Sequence, residues 1–223
     1  MGRKYPIAEN EFYHVYNRGT DRRTIFLDEH DKERFVKLLY LANSEGPVVM
    51  ENLENLSFKE LVACGAEKTP LTAIGAYCLM PNHFHIFAKE TAQGGITKFM
   101  RKLLTGYVMY FNKRHERSGG LFGGRFKATR VTDDNYLRYL FAYIHLNPVK
   151  LVDALWKDEG IQDIEHAREY LSRYAHSSYF DFTGTDRPQK AILDRSHFPE
   201  YFADTHEFSS FINDWLELKE KKP

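Results

Sequence analysis

The stretch Ala76-Tyr77-Cys78-Leu79-Met80-Pro81-Asn82-His83-Phe84-His85-Ile86-Phe87-Ala88-Lys89 decides how the rest of the chain is read. Two apolar, β-prone runs flank a Pro81-Asn82 turn, so residues 71–80 and 83–89 are expected to form two strands, with the histidines near the start of the second. Successive strand side chains alternate faces. His83 and His85 therefore point the same way, and Phe84 points to the other face, toward a core. Two imidazoles on one face of a rigid strand make half of a metal site, although a half-exposed pair on a sheet surface has the same spacing.

Working outward, residues 11–17 alternate and are β-rich, which predicts a first strand ending at Arg18-Gly19. Phe35, Leu38, Leu39 and Ala42 fall at helical spacing within residues 32–42. Residues 44–70 hold a Gly46-Pro47 breaker, several acids and a short helical pattern over 58–64, and read as an insertion. Residues 96–115 form a long amphipathic helix closed by Gly119-Gly120 and Gly123-Gly124, and 125–131 a further strand. Asp133 or Asp134 can cap a helix running to about Asn147, where Pro148 stops it. Helical pieces are expected over 165–174 and 209–219. Strands returning antiparallel with helices between them give an α+β sandwich, its helices covering one or both faces.

At 223 residues, with 43% hydrophobic and 28% charged residues, the chain has the composition of a globular domain with additions. No apolar run approaches the roughly 20 residues that span a bilayer, and the start lacks the apolar core of a signal peptide, so no membrane partner and a cytoplasmic location are expected. Cys64 and Cys78 have no metal or redox spacing and read as reduced, packed thiols. The 31 basic and 31 acidic residues cancel, but their distribution is uneven. Between Lys98 and Arg130 nine basic residues stand against the single acid Glu116, interleaved with Phe99, Tyr107, Tyr110, Phe111, Phe122 and Phe126. A charge-rich helix is often only a solvated face, yet cations beside stacking rings suit a nucleic-acid strand. Arg101, Lys102, Lys113, Arg114, Arg125 and Lys127 are the expected nucleic-acid contacts, with Arg18 a further phosphate contact.

A histidine pair needs more ligands and, for strand cleavage, a nucleophile. In Tyr143-Ile144-His145-Leu146-Asn147 the tyrosine and the asparagine are four residues apart, one turn along the same helical face. Asn147 can offer a hard oxygen to the cation held by His83 and His85, and Tyr143 can reach a phosphate beside it. Mixed nitrogen and oxygen ligation suits Mg²⁺ or Mn²⁺. The same helix carries Tyr136, Tyr139 and Phe141, so Tyr143 taken alone reads as a packed ring, and Tyr139 is its strongest competitor as nucleophile. His14 reads as a structural strand histidine, and His115 and His145 receive no catalytic role.

Together these segments resemble the His-hydrophobe-His single-strand DNA nucleases, and within them the IS200-like one-tyrosine transposases of small insertion sequences, especially the REP-associated tyrosine transposase branch. Asn147-Pro148-Val149 after the tyrosine matches that branch. Tyr13-His14-Val15-Tyr16-Asn17-Arg18-Gly19, Ile25-Phe26, Asp31, Phe111-Asn112-Lys113-Arg114-His115, Leu121-Phe122-Gly123-Gly124-Arg125-Phe126-Lys127 and His176-Ser177-Ser178-Tyr179 extend the likeness over about residues 10–180, with 44–70 as a departure.

The resemblance implies a ferredoxin-like antiparallel sheet sandwiched by helices, with an insertion and a helical C-terminal extension. It implies a catalytic domain over 1–152 and an extension over 153–223 packed on it. It further implies that Tyr143 attacks single-stranded DNA near a foldback hairpin, leaving a 5′-phosphotyrosine linkage and a free 3′-hydroxyl that a second end can rejoin. Mg²⁺ or Mn²⁺ would sit on His83, His85 and Asn147, and the protein would act as a monomer or homodimer. Two rivals stay open: a catalytically inactive DNA-binding regulator, and a metal-dependent hydrolase that uses water and needs further carboxylates.

Overall fold

The structure is a computed structural model that describes residues 6–49, 54–65 and 69–217. Four strands, β1 (Phe12–Arg18), β2 (Ala73–Met80), β3 (His83–Lys89) and β4 (Lys127–Arg130), form one sheet in the order β2-β3-β1-β4, with every neighbour antiparallel. Helix α1 (Glu29–Leu41) joins β1 to β2, and α3 (Gly95–Arg114) joins β3 to β4. That connectivity and strand order are ferredoxin-like. Between α1 and β2 lies the insertion with its short helix α2 (Phe58–Cys64). After β4 come α4 (Asp134–Leu146), α5 (Trp156–Glu159), α6 (Ile164–Leu171), α7 (Tyr179–Phe182) and α8 (Thr205–Glu217).

Alternation along the strands builds two cores. Val15, Leu79, Phe84 and Ile86 face Phe35, Leu38 and Leu39 of α1 and Phe99, Leu103 and Tyr107 of α3. Ala76, Cys78, Met80 and Phe87 face Leu140, Phe141 and Ile144 of α4, together with Trp156, Leu171, Phe182, Phe208 and Ile212 from the C-terminal segments. The sheet is thus covered on both faces.

Helix ends follow local chemistry. Asp28 accepts from Asp31 N and starts α1 three residues before the apolar spacing suggests, and Asp133 accepts from Tyr136 N at 2.9 Å to start α4. Pro148 ends α4 at Leu146, and the chain tightens into a 3₁₀ turn over Asn147–Leu151. Glu90 accepts from Gly94 N at 2.6 Å and Ile96 N at 2.7 Å, satisfying the first donors of α3. A Cβ on Gly95 would stand 1.9 Å from Leu71 O, so only glycine lets α3 start there. β4 is shorter than the expected 125–131 because its ladder runs only opposite Tyr13–Tyr16. In the insertion, α2 falls where expected, whereas residues 50–53 and 66–68 lie outside the described residues, as do 218 and 219 of the last expected helix.

The exposed edge of β2 is covered by the chain after α6. Leu79 N donates to His176 O at 3.0 Å, Ser178 N to Tyr77 O at 2.9 Å, and Cys78 bridges Ser177. His145 locks this strap to α4. Its Nδ1 lies 2.9 Å from Phe141 O, which can only accept, so Nδ1 carries the proton and Nε2 accepts a hydrogen bond from the Ser178 hydroxyl at 2.8 Å. Ser178 Oγ in turn accepts from Tyr77 N at 3.0 Å. Burial depresses the His145 pKa from 6.5 to about 3.

This sets a pH dependence. The unfolded chain binds a proton at His145 below about pH 6.5 and the folded chain does not, so stability is complete above that pH and falls as the pH drops toward 3, by up to about 1.4 kcal/mol per unit. Urea unfolding between pH 7.5 and 5 should show this slope, and His145→Gln, which can keep both hydrogen bonds, should flatten it. Equal slopes in the two proteins would remove His145 as the cause.

Candidate active site

The ladder that builds the sheet also assembles the site. In the β1–β3 register Arg18 stands opposite His83 and Tyr16 opposite His85, and in the β1–β4 register Lys127 stands opposite Tyr16 and Thr129 opposite His14. Paired residues share a face, so His14, Tyr16, Arg18, His83, His85, Lys127 and Thr129 all lie on the α4 side. Tyr143 and Tyr136 of α4 line the other side, and the half-open cavity between has a volume of about 570 Å³.

His83 and His85 are both buried, with ring centroids 4.9 Å apart and planes nearly perpendicular. The Tyr143 ring lies edge-on to His85 at 5.3 Å and to His14 at 6.0 Å. Each histidine is oriented from behind: His83 Nδ1 meets Asn82 Oδ1 at 2.6 Å, and His85 Nδ1 meets His14 Nε2 at 2.7 Å. Along α4, Tyr136, Tyr139 and Tyr143 stack as a column, at 6.2 and 5.9 Å. Burial, and then the neighbouring phenols, raises the pKa of Tyr139, which packs against Trp215. Tyr143, unlike Tyr139, lines the cavity.

Asn147 caps the end of α4 and is only 2% exposed. Its Nδ2 makes a long contact, 3.5 Å, with the Tyr143 carbonyl, and its side chain does not line the cavity. Among the described residues no group of three or more histidine, cysteine, aspartate or glutamate side chains is arranged to hold a metal. Any cation here would rely on the two histidines, an amide oxygen, water and substrate.

The expected DNA-contacting residues separate in space. Arg18, Arg125 and Lys127 line the cavity, and Arg22 joins them. A wider groove of about 1,420 Å³ shares Tyr16, Arg125 and Lys127 with the cavity and continues to Arg101 on α3. Three others are placed elsewhere. Lys102 donates to the backbone carbonyls of Ser44 and, at 2.6 Å, Gly46, so it tethers the insertion. Arg114 is bonded to Asp28 and to fully buried Asp31, each at 2.7 Å, a pairing that holds the Asp28 carboxyl well below the usual range. Its charge answers two carboxylates at the α1–α3 junction, and His115 joins the same Asp31. Lys113 is exposed beside Met109, Tyr110 and Glu54, facing a separate hollow.

His14, Tyr16, Arg22 and Asn82 belong to this site without having been expected there. His14 in particular does more than satisfy a core hydrogen bond, because its imidazole holds His85. The signal was present in the alternation of β1, but using it requires knowing that β1 lies beside β3.

No curated protein matches the chain. Among solved structures, one described as "Structure of the REP associates tyrosine transposase bound to a REP hairpin" aligns with a TM-score of 0.49 at 13% sequence identity, covering 91% of this chain and 99% of that chain. Among the described residues no helix is long and apolar enough to cross a membrane. The family model described as "Transposase IS200 like" matches residues 8–147. That span is more than half of the chain and holds every side chain of the cavity, and the protein belongs to the IS200-like transposase family.

Proposed function

We propose that this DNA transposase cuts and rejoins single-stranded DNA beside hairpin repeats through a covalent intermediate on Tyr143. One observation carries the reading: Tyr143 shares a cation-rimmed cavity with the same-face pair His83 and His85. A half-open cavity on a sheet face, with its histidines buried at the base, admits a flexible strand more easily than a stacked duplex.

In the proposed step Tyr143 Oη gives up its proton to water and forms a bond to the scissile phosphorus, the bond from phosphorus to the 3′-oxygen breaks, and that oxygen takes up a proton and leaves as a 3′-hydroxyl. The phosphodiester energy stays in the phosphotyrosine, so a second 3′-hydroxyl can reverse the step and join. Arg18, Arg22, Arg125 and Lys127 would hold the flanking phosphates, with the groove toward Arg101 taking the continuing strand. The donor set fits Mg²⁺ or Mn²⁺. His83 and His85 would hold the ion, and Asn147, one turn from Tyr143 but outside the cavity lining, is the third ligand proposed. Such an ion polarises a phosphate oxygen and steadies the leaving group. Because one chain already carries the histidines beside its own tyrosine, the reading supports a site complete within a monomer.

The decisive experiment is a denaturing gel of protein, labelled hairpin DNA and Mn²⁺. A covalent band is expected with the native protein and with Tyr139→Phe. Tyr143→Phe keeps the ring and should lose the band, with cleavage down about 1,000-fold or more. Bound but uncut DNA would favour a regulator, cutting without adduct a hydrolase, and an adduct surviving in Tyr143→Phe would overturn the nucleophile.

The cation assignment is tested by salt. Neutralising Arg18, Arg125 and Lys127 together should weaken single-strand binding and flatten the slope of log affinity against log salt by about 0.7 per lost contact, whereas Lys113→Gln should leave it unchanged. An unchanged slope in the triple variant would place the strand elsewhere.

A further inference from the structure

The turn between the two hairpin strands carries an amide with both ends committed. Asn82 Nδ2 lies 3.0 Å from Arg22 O, and Asn82 Oδ1 lies 2.6 Å from His83 Nδ1. A carbonyl oxygen can only accept, so the NH₂ end must face Arg22. The amide oxygen is then left for the histidine, and it too can only accept. His83 Nδ1 must therefore carry the proton, and the lone pair of the neutral ring sits on Nε2.

The loop on the other side of the amide is one that needs holding. Asp21 and Arg22 are consecutive non-glycine residues in the left-handed region, at φ 53° and 59°, a conformation that side-chain-bearing residues rarely adopt. A Cβ on Gly19 would lie 2.3 Å from Arg23 O, so the loop is tightly folded on itself. It is tied to the same turn by backbone bonds, Gly19 N to Asn82 O at 2.9 Å and Ile25 N to Pro81 O at 2.8 Å. Arg18 and Arg22 at its two sides line the cavity.

We infer that Asn82 is a positioning residue: it reads the Arg22 carbonyl with its amide nitrogen and thereby dictates which nitrogen of His83 presents a lone pair. One side chain so couples the arginine-bearing loop to the histidine that the loop faces. With the opposite tautomer, Nε2 would carry a hydrogen and could neither ligate a cation nor accept a proton. The consequence for cation binding rests on the function proposed above, whereas the tautomer assignment does not.

The test uses the full chain, metal-free, with ¹⁵N-labelled histidine, at an alkaline pH where the imidazole is neutral. Long-range ¹H–¹⁵N correlation should show His83 as the Nδ1–H form in the native protein. Asn82→Ala should shift it to the Nε2–H form or a mixture. Asn82→Asp, whose carboxylate also only accepts, should keep the native tautomer while losing the bond to Arg22. Titration with Mn²⁺ alone should read 10- to 100-fold weaker binding in Asn82→Ala, as expected when a ligand's hydrogen-bond partner is removed, and a much smaller loss in Asn82→Asp. An Nε2–H form in the native protein, or an unchanged tautomer in well-folded Asn82→Ala, overturns the inference. If Asn82→Ala does not fold, the spectra of the native protein and Asn82→Asp decide it. Absence of Mn²⁺ binding in every protein, with tautomers as expected, would fell the metal reading and leave the role of Asn82 standing.

Discussion

Strand β3 has a hydrogen-bonded neighbour on each side, and the alternation of its seven residues is the constraint from which the core and the site both follow. Phe84, Ile86 and Ala88 are driven into the core beneath α1 and α3, while His83, His85 and Phe87 face α4. Burial of each large apolar side chain is worth about 1.5–3 kcal/mol. A slip of one residue would exchange these sets, putting two imidazoles into an apolar core and phenylalanine into the cavity. The register that keeps the protein folded is therefore the one that presents the histidines.

Tyr143 reaches the histidines only because α4 is held down along its length. Leu140, Phe141 and Ile144 anchor its apolar side, and the bonds from His145 through Ser178 to the backbone of Tyr77 fasten it to β2. The strap over 176–178 thus has two effects: it covers the β2 edge and it sets the height of the tyrosine column above the sheet. Within that column the rings differ in their surroundings. Tyr139 is pressed between rings and is harder to ionise, and Tyr143 lines the open space.

Charge is partitioned by the same logic. A fully buried carboxylate such as Asp31 must be paired, and Arg114, His115 and Tyr110 converge on it from α3 and its end. Lys102 is drawn to carbonyl oxygens that the insertion leaves at its turn. The cations that line the cavity sit at the end of β1, on the loop after it, and at or just before the edge strand β4: Arg18, Arg22, Arg125 and Lys127, with Arg101 farther along the neighbouring groove.

Local periodicity was enough to locate the strands, to put His83 and His85 on one face and to space Tyr143 one turn from Asn147, because these are relations between near neighbours in sequence with fixed repeats of two and 3.6 residues. A capping aspartate at 133 or 134 and the proline stop at 148 were legible for the same reason, and the structure chose Asp133. Other features required the tertiary structure. That His14 and Tyr16 stand beside His85, that Asn82 reaches Arg22 some 60 residues earlier, and that Lys102 and Arg114 serve the scaffold while Arg22 faces the cavity are consequences of strand order, helix docking and the demands of buried partners. A lysine or arginine looks the same in sequence whether it meets a phosphate, a carbonyl or a buried carboxylate. Only the fold decides which of these lies within reach, because the electrostatic cost of an unpaired partner is set by its burial.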